Sequence, residues 1–236
     1  MELSSIISLN AEAIRCMHAG NFRKATSLFR AALSEIRRRL VQHGDDDMVG
    51  NKAILPHAEE HTDQFLQIRS IPLLKDTLST KSSVYQDYHT FSPFYQALYM
   101  NTTDCTVWSS PATQNHVSAV ILYNLGLLQH LKGIETPTRK AEFFNKSMQL
   151  YQMVSSILGQ CTVLSDKGVG LLFLAVLNNA GSLHSYFYET RQAQQCLERM
   201  RPILAAIQGP TMMEVVLVVF RMNILIWQGI SPAAAA

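Results

Sequence analysis

Apolar and polar positions alternate along most of this chain with the 3.6-residue period of an amphipathic helix. The first such segment predicts a helix from Ser4 or Ser5, either of which can cap it, to about His18. Gly20 and Asn21 follow, and both tolerate the positive φ that ends a helix. A second helix is expected over residues 22–40, with Ala25, Leu28, Phe29, Ala32, Leu33 and Ile36 on one face. Arg37, Arg38 and Arg39 then fall in its last turn, where cations meet the negative end of the helix dipole.

The periodicity breaks over residues 43–70. Gly44, the acidic run Asp45 to Asp47 and Gly50 read as a surface loop, and Pro56 is suited to open a short helix over residues 56–67. Residues 84–100 differ in kind. Val84, Tyr85, Tyr88, Phe91, Phe94, Tyr95, Leu98 and Tyr99 are aromatic or apolar with few charges among them. Two extended runs, 84–88 and 94–100, predict a small β-hairpin, and two strands alone must pack on the helices to be stable. Residues 101–111 read as a loop.

Helical spacing returns at residue 112. Helices are expected over 113–132, stopped by Gly133, and over 139–158, after a loop containing Pro137. After a turn at residues 161–167 a third pair is expected, 168–188 and 190–206, with Gly209-Pro210 as the stop. Residues 211–227 form a very apolar stretch interrupted by Glu214 and Arg221. It is short of the ~20 residues a bilayer needs and predicts a buried capping helix. The small-residue tail, 229–236, carries no pattern.

One helix-pair pattern recurs three times, over residues 9–33, 122–150 and 177–204. Gly20, Phe22, Ala25, Phe29 and Ala32 mark the first copy, Leu122, Leu125, Gly126 and Gly133 the second, and Leu177, Ala180, Gly181, Ala193 and Leu197 the third. The small residues let helix backbones approach, and the large ones fill the space between helices. In these positions the chain resembles tetratricopeptide-repeat proteins over roughly 110 residues. The departures are Ala13 in place of the first-helix glycine of copy one, an enlarged turn at 134–140 in copy two, and a long insertion between these copies.

The resemblance implies a mainly α fold: antiparallel helix pairs stacked as a short α-solenoid, with a β-hairpin insertion around 84–100. The expected organisation is one domain, with a first helix pair at 1–41, the insertion at 42–111, two further pairs and the capping helix at 112–228, and the tail at 229–236. It further implies a concave groove lined by the first helix of each pair. Its matching positions are Asn10, Met17 and His18, then Tyr123, Leu127 and His130, then Asn178, Ser182 and Tyr186. This mixed lining suits an extended peptide or a partner helix with apolar anchors, unless the aromatic hairpin or another segment of the chain fills it instead. The family's peptide-carboxylate clamp pairs asparagines with lysine or arginine. Asn124 and Asn179 stand at asparagine sites, but the basic companions are missing.

Composition narrows the alternatives. The chain has 236 residues, 47% apolar and 16% charged, which fits a folded chain with a sizeable core. A net charge of +2 argues against a nucleic-acid or anionic-membrane surface. Cys16, Cys105, Cys161 and Cys196 are widely spaced, with no CxxC pair. They are expected to be free thiols, in keeping with an intracellular compartment, and the first residues lack the pattern of a signal peptide.

His57, Glu60 and His61 match an HxxEH pattern that would place two zinc ligands and a general base on one helix face. A third ligand would have to come from elsewhere in the chain, and the surrounding residues show no supporting strand or glutamate motif. There is no GxxxxGK[ST], GxGxxG or GxSxG pattern. The reading is therefore a non-catalytic scaffold that binds a protein or peptide, without a cofactor. A metal-dependent hydrolase at His57, Glu60 and His61 and a helical RNA-binding module stand as alternatives.

Overall fold

A computed structural model describes residues 3–44, 66–73, 93–102, 111–159, 166–207 and 211–229. Among them are seven α-helices and one two-stranded antiparallel sheet. The order is α1 (Leu3–His18), α2 (Phe22–Gly44), β1 (Leu66–Pro72), β2 (Gln96–Thr102), α3 (Pro111–Glu135), α4 (Lys140–Gly159), α5 (Lys167–Tyr186), α6 (Thr190–Ala206) and α7 (Thr211–Gly229). A single 3-10 turn, Pro137–Arg139, joins α3 to α4. The helices pack in chain order, α1 on α2, α3 on α4, α5 on α6, with α2 touching α3, α4 touching α5 and α6 touching α7. The expectation of a mainly helical chain with a small β insertion is therefore met.

The turn between α1 and α2 shows why the chain reverses there. Gly20 adopts φ +71°, its N–H bonds the Met17 carbonyl at 3.0 Å, and the Asn21 N–H bonds the Cys16 carbonyl at 2.8 Å. This is the Schellman ending of a helix. Asn21 does not share the left-handed conformation. Its side-chain oxygen instead accepts the Lys24 N–H at 3.1 Å, so it caps the start of α2. The α5–α6 turn repeats the same bonds. Tyr188 takes φ +59°, its N–H reaches Ser185, and the Glu189 N–H reaches His184 at 2.8 Å. Ala25 and Ala193 then occupy equivalent, fully buried places in α2 and α6.

Small residues set the closest helix approaches. A Cβ on Gly133 would lie 2.5 Å from the Phe144 ring, and one on Gly126 would lie 2.8 Å from Tyr151. So α3 and α4 pack with aromatic rings pressed onto bare backbone. Gly133, expected to end its helix, lies inside α3, which continues to Glu135. Helix α2 similarly extends to Gly44. Arg37–Arg39 therefore stand a turn before its end, and Arg38 and Arg39 pair with Glu35 at 2.7 and 3.2 Å. The Arg38 hydrogen bond is the main cause holding the Glu35 carboxyl down at about 2.

The sheet corrects the expected hairpin. Its second strand is close to the predicted one, but its partner is residues 66–72, with Ser70 opposite Leu98 and Arg69 opposite Tyr99. Residues 84–88, the expected partner, lie outside the described residues, as does most of the expected helix at 56–67. The end of that helix, Gln67, is in β1. Asn101 and Thr102, expected in a loop, belong to β2.

Helix α7 spans the expected capping helix, with Leu217 and Phe220 buried. Its Val218, Met222 and Leu225 stay exposed at 49%, 49% and 60%, an uncovered apolar stripe at helical spacing. Among the described residues no helix is long and apolar enough to cross a membrane. Cys16 and Cys196 are buried free thiols, and burial pushes the Cys196 thiol up to about 11. The tail at 230–236 and the other two cysteines lie outside the described residues.

Candidate functional site: a strand clasped by asparagines

The first helices of the pairs, α1, α3 and α5, carry polar residues inside otherwise apolar runs. Asn10, Asn124, Asn178 and Asn179 are fully buried, at 0% exposure. A buried primary amide needs partners for two donors and an acceptor, or it costs on the order of 1–3 kcal/mol for each unmade bond. For Asn10, Asn124 and Asn179 partners come from the chain segment leading into β2 and from β2 itself.

Asn124 makes two bonds to one residue. Its side-chain oxygen accepts the Leu98 N–H at 2.9 Å, and its side-chain nitrogen donates to the Leu98 carbonyl at 2.8 Å. Asn179 does the same to Phe94, accepting its N–H at 2.6 Å and donating to its carbonyl at 3.1 Å. Between them the Tyr123 hydroxyl donates to the Gln96 carbonyl at 3.0 Å. Asn10 donates to the Leu98 carbonyl at 3.3 Å and accepts from Asn124 at 3.0 Å. The Tyr99 hydroxyl donates to the Ala11 carbonyl at 3.3 Å, tying the strand to α1.

Strand geometry explains the spacing. Alternate residues of an antiparallel strand turn their N–H and C=O to opposite edges. The Tyr95 carbonyl accepts the Leu73 N–H on the β1 side. Phe94, Gln96 and Leu98 face the other edge, where a third strand would lie. Side-chain amides and a phenol take that place. Asn124-Leu125-Gly126 and Asn179-Ala180-Gly181 share one spacing, so equivalent asparagines hold strand residues four apart.

This arrangement decides the fate of the expected groove. Asn10, Met17, Tyr123, Leu127, His130 and Asn178 are buried, not open to an external ligand. Asn178 accepts from Asn223 of α7 at 2.6 Å. His18 is exposed, Ser182 is half-buried, and Tyr186 is exposed at 39%. The physical reason is that α1 and α3 both pack on β2, and the strand fills the space between them. Leu98 and Ala97 are fully buried there, and Phe94 stacks on Phe220 of α7 with ring centroids 4.8 Å apart.

His130 and Tyr186 join a second, aromatic cluster. His130 stands edge-on to Tyr95 at 5.7 Å and Phe144 at 5.0 Å, and Phe144 meets Tyr186 at 4.9 Å. The Lys140 ammonium lies 4.4 Å over the Tyr186 ring. Burial, with a smaller push from the Lys140 charge, drives the His130 imidazole down to about 3, so it is neutral. Its Nδ1 has no hydrogen-bond partner among the described residues. Burial also raises the Tyr123 and Tyr151 phenols, so both hydroxyls stay protonated while accepting from the Asn179 side-chain nitrogen at 3.5 and 3.3 Å.

Among the described residues no three His, Cys, Asp or Glu side chains are grouped to hold a metal. His57, Glu60 and His61 lie outside the described residues. Sequence reasoning placed Asn124 and Asn179 at asparagine sites but left them out of the groove lining. The signal that marks them is local: an asparagine two residues before a packing glycine in each of two apolar helices. No family model matches the chain, and no curated protein or solved structure matches it either.

Proposed function

We propose that this chain is a non-catalytic protein-binding scaffold, with helix pairs stacked in the tetratricopeptide manner and a concave face built to grip an extended polypeptide. One observation carries the reading: equivalent asparagines of two successive pairs each hold both backbone groups of one residue, Phe94 just before β2 and Leu98 within it. Such a grip takes the main chain as its ligand and asks little of the side chains. Catalysis has no role in it.

Two further features support stacked units. The α1–α2 and α5–α6 turns use the same bonds at equivalent positions. Asn10 and Asn178, also equivalent, each accept from an asparagine of a later helix, Asn124 of α3 and Asn223 of α7. On this reading α7 corresponds to the first helix of a fourth unit.

Selection of displayed ten-residue peptides against the purified chain tests the proposal. Enriched peptides should lose at least tenfold in affinity on Asn179→Ala in a chain whose circular dichroism is unchanged. Failure to enrich any peptide, or enrichment of peptides indifferent to Asn179, counts against it.

A further inference from the structure

The strand that fills the concave face is not part of the helical stack by chain continuity. Residues 45–65 lie between α2 and β1, and residues 103–110 lie between β2 and α3. No helix needs to break for the strand to leave. On the helix side it is held by backbone bonds from Asn10, Tyr123, Asn124 and Asn179 and by two deeply seated side chains, and its other edge pairs with β1, which would have to part from it or leave with it. Phe94 is 1% exposed against Phe220, and Leu98 is 0% exposed beside Asn10 and Asn124.

A side-chain amide offers the same donor and acceptor as a peptide unit. It satisfies any extended backbone placed against it, whatever that segment's sequence. Discrimination then falls to the two seats, which take large apolar side chains four residues apart. The empty groove is costly, because four buried polar side chains would lose the partners that the strand supplies. Some strand must occupy it, and the groove's chemistry does not require that strand to be its own.

We propose that residues 94–98 are a tethered occupant, and that an external extended segment of the form Phe-x-x-x-Leu binds the same seats by displacing β2. This rests on the scaffold reading above and adds the identity of the segment and its competition with the chain's own strand. The partner is a protein region that presents this spacing in extended form. A tether raises the effective concentration of the internal strand, so the intact chain binds such a segment weakly.

The test uses the full chain and a labelled peptide copying residues 93–101, followed by fluorescence anisotropy. Leu98→Ala weakens the internal occupant and leaves every groove side chain in place. It is expected to tighten peptide binding at least tenfold over the unaltered chain. A peptide with alanine at both seats should not bind either protein. In parallel, hydrogen exchange at the Leu98 amide of the unaltered chain should accelerate as peptide is added, a measurement that stands even if Leu98→Ala is poorly folded.

Equal affinity of both proteins for the peptide, or a Leu98 amide indifferent to saturating peptide, overturns the displacement. If displayed peptides still bind through Asn179 in that event, the scaffold reading survives and only the competition is lost.

Discussion

Leu98 and Asn124 form a closed two-bond ring: the strand residue's N–H enters the amide oxygen at 2.9 Å and its carbonyl receives the amide nitrogen at 2.8 Å. The ring lies in the core, with both residues fully buried. An exposed strand edge is a hazard because its unpaired groups recruit other strands. Here a helix closes that edge with side chains, which also fixes the strand against α3. Asn124→Leu leaves both Leu98 groups without this partner. Unmade buried bonds cost about 1–3 kcal/mol each, so a loss of about 2–5 kcal/mol is expected. Urea denaturation at unchanged m-value measures it, and a loss below about 1 kcal/mol would mean water replaces the amide.

The second prediction concerns Gly133. An added methyl must enter the Phe144 ring, so Gly133→Ala is expected to destabilise by about 1–3 kcal/mol despite alanine's better helix propensity. Combining it with Phe144→Leu should recover part of the loss. Gly159→Ala has nothing within 4 Å to meet and serves as the comparison, with no loss expected. Thermal melts of the four proteins decide the matter. A neutral Gly133→Ala would place Phe144 elsewhere.

The two equivalent turns respond in opposite directions. Tyr188 holds φ +59° although it carries a Cβ, and its side chain is 93% exposed, so it contributes little packing. Tyr188→Gly relieves about 1–2 kcal/mol of steric strain and gives back up to ~1 kcal/mol to the freer unfolded chain. A net gain of up to ~1 kcal/mol is expected. Gly20→Ala should lose about 1 kcal/mol, because Gly20 has room for a methyl but the wrong φ for one. Stability curves moving the same way for both would remove the equivalence of the turns.

His130 makes a pH signature. Its folded value is lowered from 6.5 to about 3, chiefly by burial. Between those limits the unfolded chain takes up a proton that the folded chain refuses. Stability therefore falls as pH is lowered through this window, by up to about 1.4 kcal/mol per pH unit. His130→Leu should be progressively less sensitive than the unaltered chain from pH 6.5 to 4.5. Parallel pH profiles for the two proteins would show that His130 becomes charged in place.

Zinc separates the scaffold from the hydrolase alternative. The expected metal content of the purified chain is below stoichiometric. One equivalent of tightly held zinc, lost on His61→Ala, would reverse the assignment.

Much of the helical layout was readable from local chemistry. Gly20 announces the end of α1 because left-handed backbone suits glycine, and Ala25, Phe29 and Ala193 mark packing faces because their spacing matches the helical period. The strand pairing was not readable in the same way. The aromatic run at 84–88 suggested a neighbour close in sequence, while β2 pairs with residues 66–72. Register depends on what a distant surface buries, and no local window contains that information.

The chain's residue order alone determined where helices start, which faces are apolar and where small residues admit a neighbour, because these are nearest-neighbour and period effects. Only the folded structure decided what lies against α1, α3 and α5. Asn124 and Asn179 look alike whether they await a ligand or hold one, since an amide's hydrogen-bonding demand does not specify its source. That demand was met by Leu98 and Phe94, which reach it because β2 lies against α1 and α3 and the residues entering it lie against α5.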